Sequence, residues 1–476
     1  MHKRLLFFLL LIALQNLHAQ HYHAYNGSPY AGVFSMYNNP ASTVNAAFKW
    51  DVNVLSLQTF MLNGILNVDG LAKDTVSINV TEGISKRYTH IVADVSLLNI
   101  RFNINKNNAI AFGLRARTYN HLKTAAFFSA DSITTFNGFL HANALNNVQY
   151  LQGFTTSDSW FEATFNFSHV LHEDINSKFS AGISLGYMQN ISAAFASINK
   201  ITYVNVPDTG NTYHQLITGG GLSATYSNNY DLAANNNNSA KTFLKNTLSS
   251  FNISIGAEWL IKKPNIYEDE PITNTNYDWK IGISIMDIGR NIFQPAQGSF
   301  TAGVPKAGLT NTTLEQRFSN IGSLQRLYDS VAVTFTNVTP VADAFSISTP
   351  TRLLISADKN FGNHWFVNSQ LNINFFSTEP TNKLHTRELN GLTITPRFEK
   401  KSIGFYMPVQ FTTQGNLLIG SAIKLGPLLF GLHNIGWLFG RVDKLNGGGY
   451  LAIHIKPGKE KEPKKKYDCV NVANRF

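Results

Sequence analysis

The C-terminal part of the chain alternates apolar residues with polar or small ones, in short runs separated by turn signals. In one run, Ile403 and Phe405 fall on one face, while Gly404 and Tyr406 fall on the other. A period of two is typical of half-buried β-strands. A soluble β-sandwich and a membrane barrel both produce it. The pattern predicts consecutive strands at Leu389–Phe398, Ser402–Thr412, Asn416–Lys424, Pro427–Asn434 and Gly448–Ile455.

The same pattern recurs upstream, and the connections between strands alternate in length. Short connections such as 105–108 and 360–363 alternate with long ones such as 120–158 and 191–249. Brief periplasmic turns, long external loops and an even strand count are typical of outer-membrane barrels, so we predict an all-β, transmembrane, antiparallel up-and-down β-barrel of about 14 strands. A β-sandwich is the less favoured alternative. The upstream strands are predicted at Lys49–Phe60, Ile91–Ile104, Ala109–Tyr119, Trp160–Val170, Lys178–Asn190, Phe251–Ile261, Trp279–Ile288, Arg352–Asp358 and Trp365–Phe376.

Composition favours a membrane protein. Charged residues make up 14% of the chain, whereas soluble domains carry about 25%. Beyond the N-terminus, no segment approaches the roughly 18 consecutive apolar residues of a transmembrane helix, so a spanning chain must form a closed barrel. The positive Lys3-Arg4, the apolar Leu5–Leu14 and a small-residue cleavage site predict a signal peptide over residues 1–19. We therefore expect Sec-type export to the outer membrane of a Gram-negative bacterium.

Many charged residues lie on the polar phase of the predicted strands, which we expect to face the barrel lumen. Inside a narrow barrel such charges must pair or be hydrated, because an unpaired buried charge is costly. They form either a network that fills the interior or the lining of a polar conduit, and a plugged lumen favours the network. The lumen-facing candidates are Lys49, Asp51, Arg115, Arg117, Glu162, Glu258, Lys280, Arg352, Asp358, Arg397 and Lys424.

Two short segments resemble known barrels. The block Tyr37-Asn38-Asn39-Pro40-Ala41 resembles the Asn-Pro-Ala segment of the long-chain fatty-acid channel type of outer-membrane barrel. Together with residues 345–358 (FSISTPTRLLISAD), it resembles more closely a family of uncharacterised outer-membrane barrels, over most of residues 22–456. The resemblance implies a similar barrel with no established substrate. In fatty-acid channels the N-terminal segment is a lumenal plug, so a plug-like segment is implied over residues 20–45, with Asn39, Pro40 and Ala41 as plug candidates.

The barrel itself is predicted over residues 46–456, and a basic tail follows over 457–476. We expect this tail to lie in the periplasm, where it either contacts anionic lipid headgroups, cell-wall polymer or a periplasmic protein, or has no partner. It contains Cys469, the only cysteine of the chain, which we expect to be a free thiol. The net charge of +10 does not indicate nucleic acid, because an exported chain meets little of it and no aromatic stacking platform is apparent.

No enzyme site is apparent in the sequence. His121, Ser129, Asp131 and His141 fall in one predicted external loop, but polar loop residues are often scattered in this way without forming a site. We therefore expect a non-enzymatic protein with no catalytic residue, no cofactor and no metal site.

Two functions remain open from the sequence. A plugged conduit for small hydrophobic or amphipathic solutes would have an apolar pocket beside residues 22–45. An outer-membrane scaffold or surface-interaction protein would have a sealed lumen and ordered external loops, such as 298–329, in which residues 314–329 have the spacing of a short amphipathic helix.

Two further predictions concern the barrel wall. The last strand, Gly448–Ile455, is expected to pair with the first, Lys49–Phe60, and so to close the barrel. The tryptophans lie at or near predicted strand ends, where an aromatic girdle meets the membrane interface. They are Trp50, Trp160, Trp259, Trp279, Trp365 and Trp437.

Overall fold

The computed structural model describes most of the mature chain. Residues 1–19, assigned above to a signal peptide, lie outside the described residues, as do Trp437 and residues 458–476 of the basic tail, including Cys469. The described residues are 23–69, 77–208, 213–230, 247–263, 275–376, 384–436 and 446–457.

Strands dominate the structure. They are β1 (Trp50–Asn63), β2 (Leu66–Asp69), β3 (Ser77–Val80), β4 (Gly83–Asn103), β5 (Asn108–Ser129), β6 (Tyr150–Glu173), β7 (Ser177–Pro207), β8 (Tyr213–Tyr226), β9 (Ser249–Lys262), β10 (Tyr277–Phe293), β11 (Phe300–Ala302), β12 (Thr339–Pro340), β13 (Phe345–Ser348), β14 (Arg352–Gly362), β15 (Trp365–Asn374), β16 (Gly391–Glu399), β17 (Ile403–Tyr406), β18 (Val409–Thr412), β19 (Leu417–Ile419), β20 (Ser421–Leu425), β21 (Leu428–Leu432) and β22 (Gly449–Ile455).

The helices are few and short. Three α-helices are α1 (Phe136–Leu145), α2 (Asn311–Phe318) and α3 (Leu324–Thr334), and three 3-10 helices precede β1, at His23–Tyr25, Gly32–Tyr37 and Pro40–Asn45. Among the described residues, no helix has the length and apolar character needed to cross a membrane.

The strands form a closed antiparallel barrel with 14 strands in its wall. Strands β17 and β18 together make one wall strand and β19 and β20 another, since each pair continues along one neighbour. The predicted closure is confirmed: β22 pairs with β1, with Val52 opposite Ile455 and Gln58 opposite Tyr450. Because short turns are periplasmic in such barrels, the end with turns such as 104–107 and 174–176 is taken as the periplasmic end.

The two faces of the wall differ as the period of two predicts. Along β17 and β18, Ile403, Phe405 and Phe411 are exposed on the outer face, whereas Tyr406 and Gln410 are buried inside. Other strands repeat this pattern, so the barrel presents an apolar outer surface around a polar interior. In water such a surface would be unfavourable, whereas in a bilayer the closed wall pairs its backbone groups internally and contacts lipid.

Replacement of Ile283 by arginine tests the lipid-facing surface. Ile283 is 50% exposed on β10, and a lipid-facing arginine near the bilayer midplane is expected to cost about 2–4 kcal/mol. Chemical unfolding from lipid vesicles measures the cost. The matched control is Val204→Arg, at a residue 47% exposed in the part of β7 that pairs with β8 beyond the barrel, where we expect about 0–1 kcal/mol. Equal losses in both variants would place Ile283 outside the membrane.

Regular structure occurs in three segments that were predicted as external loops, namely 120–158, 191–249 and 298–329. Strands β5 and β6 continue into the predicted loop 120–158, and β7 and β8 occupy much of 191–249. The prediction was wrong because it stopped each strand where the apolar outer face ends, whereas these strands continue as a paired extension above the membrane. The helix predicted over 314–329 is instead α2 and α3, since Ser323 accepts a hydrogen bond from the Arg326 amide and begins a new helix.

Four of the predicted girdle tryptophans are exposed at the periplasmic end, with exposed fractions of 39–52%: Trp50, Trp259, Trp279 and Trp365. The prediction was wrong for Trp160, which is fully buried inside the barrel. Its indole stacks on Tyr119 with ring centroids 5.6 Å apart and donates a hydrogen bond to Glu162. Trp160 shares the inward phase of Glu162, and this phase outweighs its position near a predicted strand end.

Candidate functional site

Residues 23–48, called here the N-terminal segment, lie inside the barrel and contact strands on opposite sides of its wall. The 3-10 helices follow from local sequence. Asn39 begins the third of them, because its side chain accepts a hydrogen bond from the Ala41 amide and Pro40 occupies the first helical position. Gly32 has a positive φ of 56°, which a residue with a side chain would adopt only with strain.

The first half of this segment packs on an apolar part of the lumenal wall. Tyr25, Phe34 and Met36 are almost completely buried there. Tyr25 meets Tyr406 edge to face, with ring centroids 6.3 Å apart. The strand residues of this cluster are Ala111, Tyr406, Ala422, Leu429, Tyr450 and Ala452. All of them except Ala111, which lies on β5, are called here the apolar wall.

The second half of the segment is held by hydrogen bonds on the other side of the lumen. The Asn39 amide nitrogen donates to the carbonyl of Ala257 at 2.9 Å. The hydroxyl of Thr43 donates to Asn166 at 2.7 Å, and the side chain of Asn166 donates to the carbonyl of Pro40. Polar groups of the segment and of the wall thus satisfy one another where water is excluded.

Glycines in the wall make room for this second half. A Cβ atom at Gly182 would overlap the carbonyl of Pro40, and one at Gly256 would overlap the side chain of Asn39. These wall positions therefore tolerate only glycine as long as the segment is in place.

Asp287 is the centre of the largest group of buried charges. Its carboxylate lies 2.8 Å from Arg352, 3.1 Å from Arg117 and 3.6 Å from Arg115. Glu162 pairs with the same Arg115, at 3.0 Å, and with Arg117, at 3.4 Å. The exposed fraction of each of these side chains is at most 5%. Because single buried charges are costly, the group is stable only as a set.

A second charge group joins the N-terminal segment to the opposite wall. Arg397 holds Asp358 with two nitrogen–oxygen distances of 2.6 and 2.8 Å. Glu399 pairs with Arg397 and Lys424, and it accepts a hydrogen bond from Ser28 of the segment at 2.7 Å. The segment thus completes the coordination of a buried carboxylate.

A third charge group lies where the barrel closes. Asp51 on β1 pairs with Arg101 on β4 at 2.5 Å and with His454 on β22 at 2.9 Å. Its carboxylate also accepts a hydrogen bond from the amide of Val33 in the N-terminal segment. Asp51 therefore links three neighbouring strands and the segment.

The structure brings most lumen-facing candidates into contact with one another or with the segment. Glu258 accepts hydrogen bonds from Ser42 and Asn45, and the ammonium group of Lys280 lies 5.3 Å from the ring centroid of Tyr277. The candidates buried inside the barrel are Asp51, Arg115, Arg117, Glu162, Glu258, Lys280, Arg352, Asp358, Arg397 and Lys424.

Lys49 is the exception among the candidates. It is exposed at the periplasmic end. Because Lys49 precedes β1, the alternation of the strand does not extend to it.

Four buried charged or titratable residues are not among the candidates predicted from the sequence: Arg101, Asp287, Glu399 and His454. Glu399 lies just past the strand predicted to end at Phe398, but it is the last residue of β16. Asp287 falls on the apolar phase of its strand. The signal that could have found Asp287 is the set of predicted lumenal arginines, because a buried arginine needs a carboxylate partner.

A second segment enters the lumen from the external end. In the connection between β15 and β16, Thr386, Arg387 and Glu388 lie in the buried interior. The hydroxyl of Thr386 donates to Asp158 on β6 at 2.6 Å, and the Arg387 guanidinium lies over the ring of Phe154 at 4.1 Å. This part of the loop folds inward because its polar side chains find partners on the far wall.

A small cavity adjoins the N-terminal segment. Its volume is about 30 Å³, roughly the space that one water molecule fills. Polar groups such as Ser28, Asn39 and Glu258 line it. It is not the apolar pocket that a conduit was expected to have here, because the side chains of the segment themselves cover the apolar wall.

The four polar residues weighed above as a catalytic group do not converge. His121 is buried inside the barrel, whereas His141 is exposed on α1. Asp131 is exposed and accepts a hydrogen bond from the amide of Val80. Among the described residues, no group of three or more potential ligands is placed to hold a metal ion.

Comparison with solved structures returns several matches at low similarity. The TodX deltaS2S3 mutant, a monoaromatic hydrocarbon channel, matches with a TM-score of 0.40 and 9% identity, over 89% of this chain and 93% of that one. The toluene transporter TbuX of Ralstonia pickettii gives 0.37 and 9%, over 93% and 100%. A FadL homologue of Pseudomonas aeruginosa gives 0.38 and 10%, over 90% and 95%.

Among curated proteins, none matches the chain significantly. The profile of a family of unknown function, DUF5723, matches residues 40–433. This match covers most of the chain and includes all of residues 345–358, on which the resemblance to an uncharacterised barrel family was partly based. Of the Asn-Pro block it includes Pro40 and Ala41. The chain belongs to the DUF5723 family of unknown function.

Proposed function

We propose that this protein is an outer-membrane conduit for small hydrophobic or amphipathic solutes, and that the N-terminal segment is the plug of its lumen. One observation carries the proposal: the apolar wall lies on the lumenal side of the barrel and is covered by Tyr25, Phe34 and Met36 of the segment. A barrel interior that served only as a polar network would not need an apolar surface.

Displacement of the segment would leave a lumen with one apolar side and one polar side. The apolar wall would become available to the hydrocarbon part of a solute, in place of the aromatic side chains that now cover it. The opposite side, around Gly182, Gly256 and Asn166, would present polar groups and open space. An amphipathic solute matches this division.

The conformation described here is a closed state of that conduit. The cavity beside the segment holds about one water molecule, and Thr386 and Arg387 fill part of the lumen above it. Passage therefore requires the segment to leave its place. Because the segment is covalently continuous with the barrel wall at β1, it can move as one unit about the residues that precede this strand once its hydrogen bonds to the wall are broken.

The alternative function is a scaffold with a permanently sealed lumen. The anchoring of the segment to buried carboxylates, Ser28 to Glu399 and Val33 to Asp51, favours it. So does the ordered external region, in which α1, α2 and α3 pack around the buried Leu140. In that case the external region or the basic tail would carry the interaction with other proteins.

A reversible disulfide distinguishes the two functions. The side-chain oxygens of Thr43 and Ser168 lie 2.6 Å apart, so short side chains meet here, as a disulfide requires. We expect Thr43→Cys with Ser168→Cys, in a Cys469→Ser background, to hold the segment in the lumen when oxidised. Uptake of the hydrophobic dye phenylnaphthylamine into vesicles containing the oxidised protein should fall to the level of protein-free vesicles, and reduction should restore it.

The single variant Thr43→Cys with Cys469→Ser is the control, because it carries the same substitution in the segment and cannot form the bond. Its uptake should not respond to oxidation. Equal uptake by the oxidised and reduced double-cysteine protein would refute a moving plug. If the unmodified protein takes up no dye above protein-free vesicles, the sealed scaffold is the better description.

A further inference from the structure

A cleft opens in the barrel extension at the external end, where β5 and β6 separate. Their pairing stops at Thr124 opposite Gly153. Beyond this point α1 and the residues that follow it lie between the two strands, and a cavity of about 490 Å³ remains. Cavities of about 300–1,000 Å³ are the usual size of small-ligand sites.

The lining of this cleft combines apolar and polar groups, and it carries positive charge without negative charge. Lys86 and Lys123 supply the cations, and none of the lining residues is Asp or Glu. A third ammonium group, that of Lys200, lies 5.5 Å from the ring centroid of Tyr150 at the edge of the cleft. The side-chain amides that line it are those of Asn146, Asn147, Gln149 and Gln152.

Three of these groups lack a hydrogen-bond or ion-pair partner in the part of the chain that the structure describes. Among the described residues, the side chains of Lys86, Asn147 and Gln152 form no hydrogen bond or ion pair. Asn147 also has a positive φ of 59°, an unusual conformation for a residue with a side chain. Such local strain is often found where a loop presents groups to a ligand.

We infer that this cleft binds an anionic saccharide, that is, a sugar carrying phosphate or carboxylate groups. Lysine ammonium groups form strong charge-assisted hydrogen bonds to phosphate and carboxylate. The amides both donate and accept hydrogen bonds, as the hydroxyl groups of a sugar require. Tyr150, 38% exposed at the rim, offers a flat apolar ring with a polar edge against which a sugar can pack.

The position of the cleft gives the ligand two possible sources. It opens at the external end of the barrel, beside the surface that carries glycolipids in an outer membrane. The saccharide is therefore either the phosphorylated core of a neighbouring lipopolysaccharide or a free acidic oligosaccharide. Both share the chemistry that Lys86, Lys123 and the amides recognise, and the inference does not depend on solute transport through the lumen.

Calorimetric titration of the full-length protein in detergent tests the inference. The probes are intact rough lipopolysaccharide, its core oligosaccharide after removal of the lipid, and the same core after dephosphorylation. We expect the phosphorylated core to bind saturably and the dephosphorylated core to bind at least about tenfold more weakly, which corresponds to about 1.4 kcal/mol. Lys86→Gln with Lys123→Gln should weaken binding of the phosphorylated core by a similar factor.

The matched control is Lys400→Gln with Lys401→Gln, which removes the same charge at the periplasmic end. Its affinity should equal that of the unmodified protein. Tyr150→Phe should retain affinity, and Tyr150→Ala should lose it. Equal affinity of the free core and the intact lipopolysaccharide would support a site for the sugar itself. Binding of the intact lipid alone, equal weakening in both lysine pairs, or no saturable binding of the phosphorylated core would overturn the inference.

Discussion

Replacement of Asp287 by asparagine is expected to lower the free energy of unfolding by about 3–5 kcal/mol, since removal of one partner from a buried ion pair leaves an uncompensated charge. The Asp287 carboxylate is the nearest counter-charge of Arg352, at 2.8 Å, and also pairs with Arg117 and Arg115. Asparagine keeps the size of the side chain but not its charge. Denaturant unfolding in detergent, followed by tryptophan fluorescence and by the heat-dependent electrophoretic mobility of the barrel, measures the loss.

Asp278→Asn is the matched control for this variant. Asp278 pairs with Lys359 at 2.8 Å, but the two side chains are 35% and 25% exposed. Partly exposed pairs contribute about 0.2–1 kcal/mol. If the two variants lose equal stability, the burial of the Asp287 group does not have the energetic weight assigned to it.

The sequence predicts the barrel wall well because one physical contrast, lipid outside and polar groups inside, acts on every wall strand. That contrast sets the phase of Ile403 and Tyr406, the burial of Arg115 and Glu162, and the closure of β22 on β1. The phase also predicts which charged side chains of the wall strands face the lumen, although it does not predict their ion-pair partners.

The contrast fails where the strand geometry departs from regularity. Asp287 falls on the outward phase of β10, but the register against β9 shifts between Ile285 and Ile288, and Asp287 itself has a positive φ of 55°. This β-bulge turns the carboxylate inward. No period of two reveals a bulge, so the centre of the largest charge group could not be found from the pattern alone.

The contrast also fails above the membrane, where lipid no longer acts on the outer face. Strand β7 runs from Ser177 to Pro207, well past the end predicted at Asn190. In the extension both faces meet water or other loops, and the apolar residues there pack into a local core around Ile201, Tyr203 and Phe335. The cleft proposed to bind saccharide belongs to this extension, so the sequence pattern gave no indication of it.

A different signal in the sequence indicates that another segment packs inside the barrel. This signal is the presence of glycine at wall positions where strands usually carry a side chain. Along β7 and β9, Gly182 and Gly256 lie opposite the third 3-10 helix of the N-terminal segment. In a strand that pairs on both sides, glycine weakens the sheet unless another backbone approaches closely. Here the carbonyl of Pro40 is that backbone.

Gly182→Leu is therefore expected to displace the N-terminal segment from the lumen while the barrel remains folded. A leucine side chain would occupy the place of the Pro40 carbonyl, and overpacking of this kind costs about 1–3 kcal/mol. We expect chymotrypsin to cleave the variant at Tyr25 and Phe34, both buried in the native protein, and we expect faster uptake of phenylnaphthylamine into vesicles.

Ile183→Leu is the control, because the neighbouring residue is 37% exposed on the lipid-facing side and receives the same side chain. This variant should keep the segment protected and the uptake unchanged. Heat-dependent mobility reports whether the barrel of each variant is folded. A folded Gly182→Leu barrel with a protected segment would show that the lumen adjusts around the larger side chain. Cleavage without faster uptake would show instead that the segment is mobile and that the lumen still does not conduct, which favours the sealed scaffold.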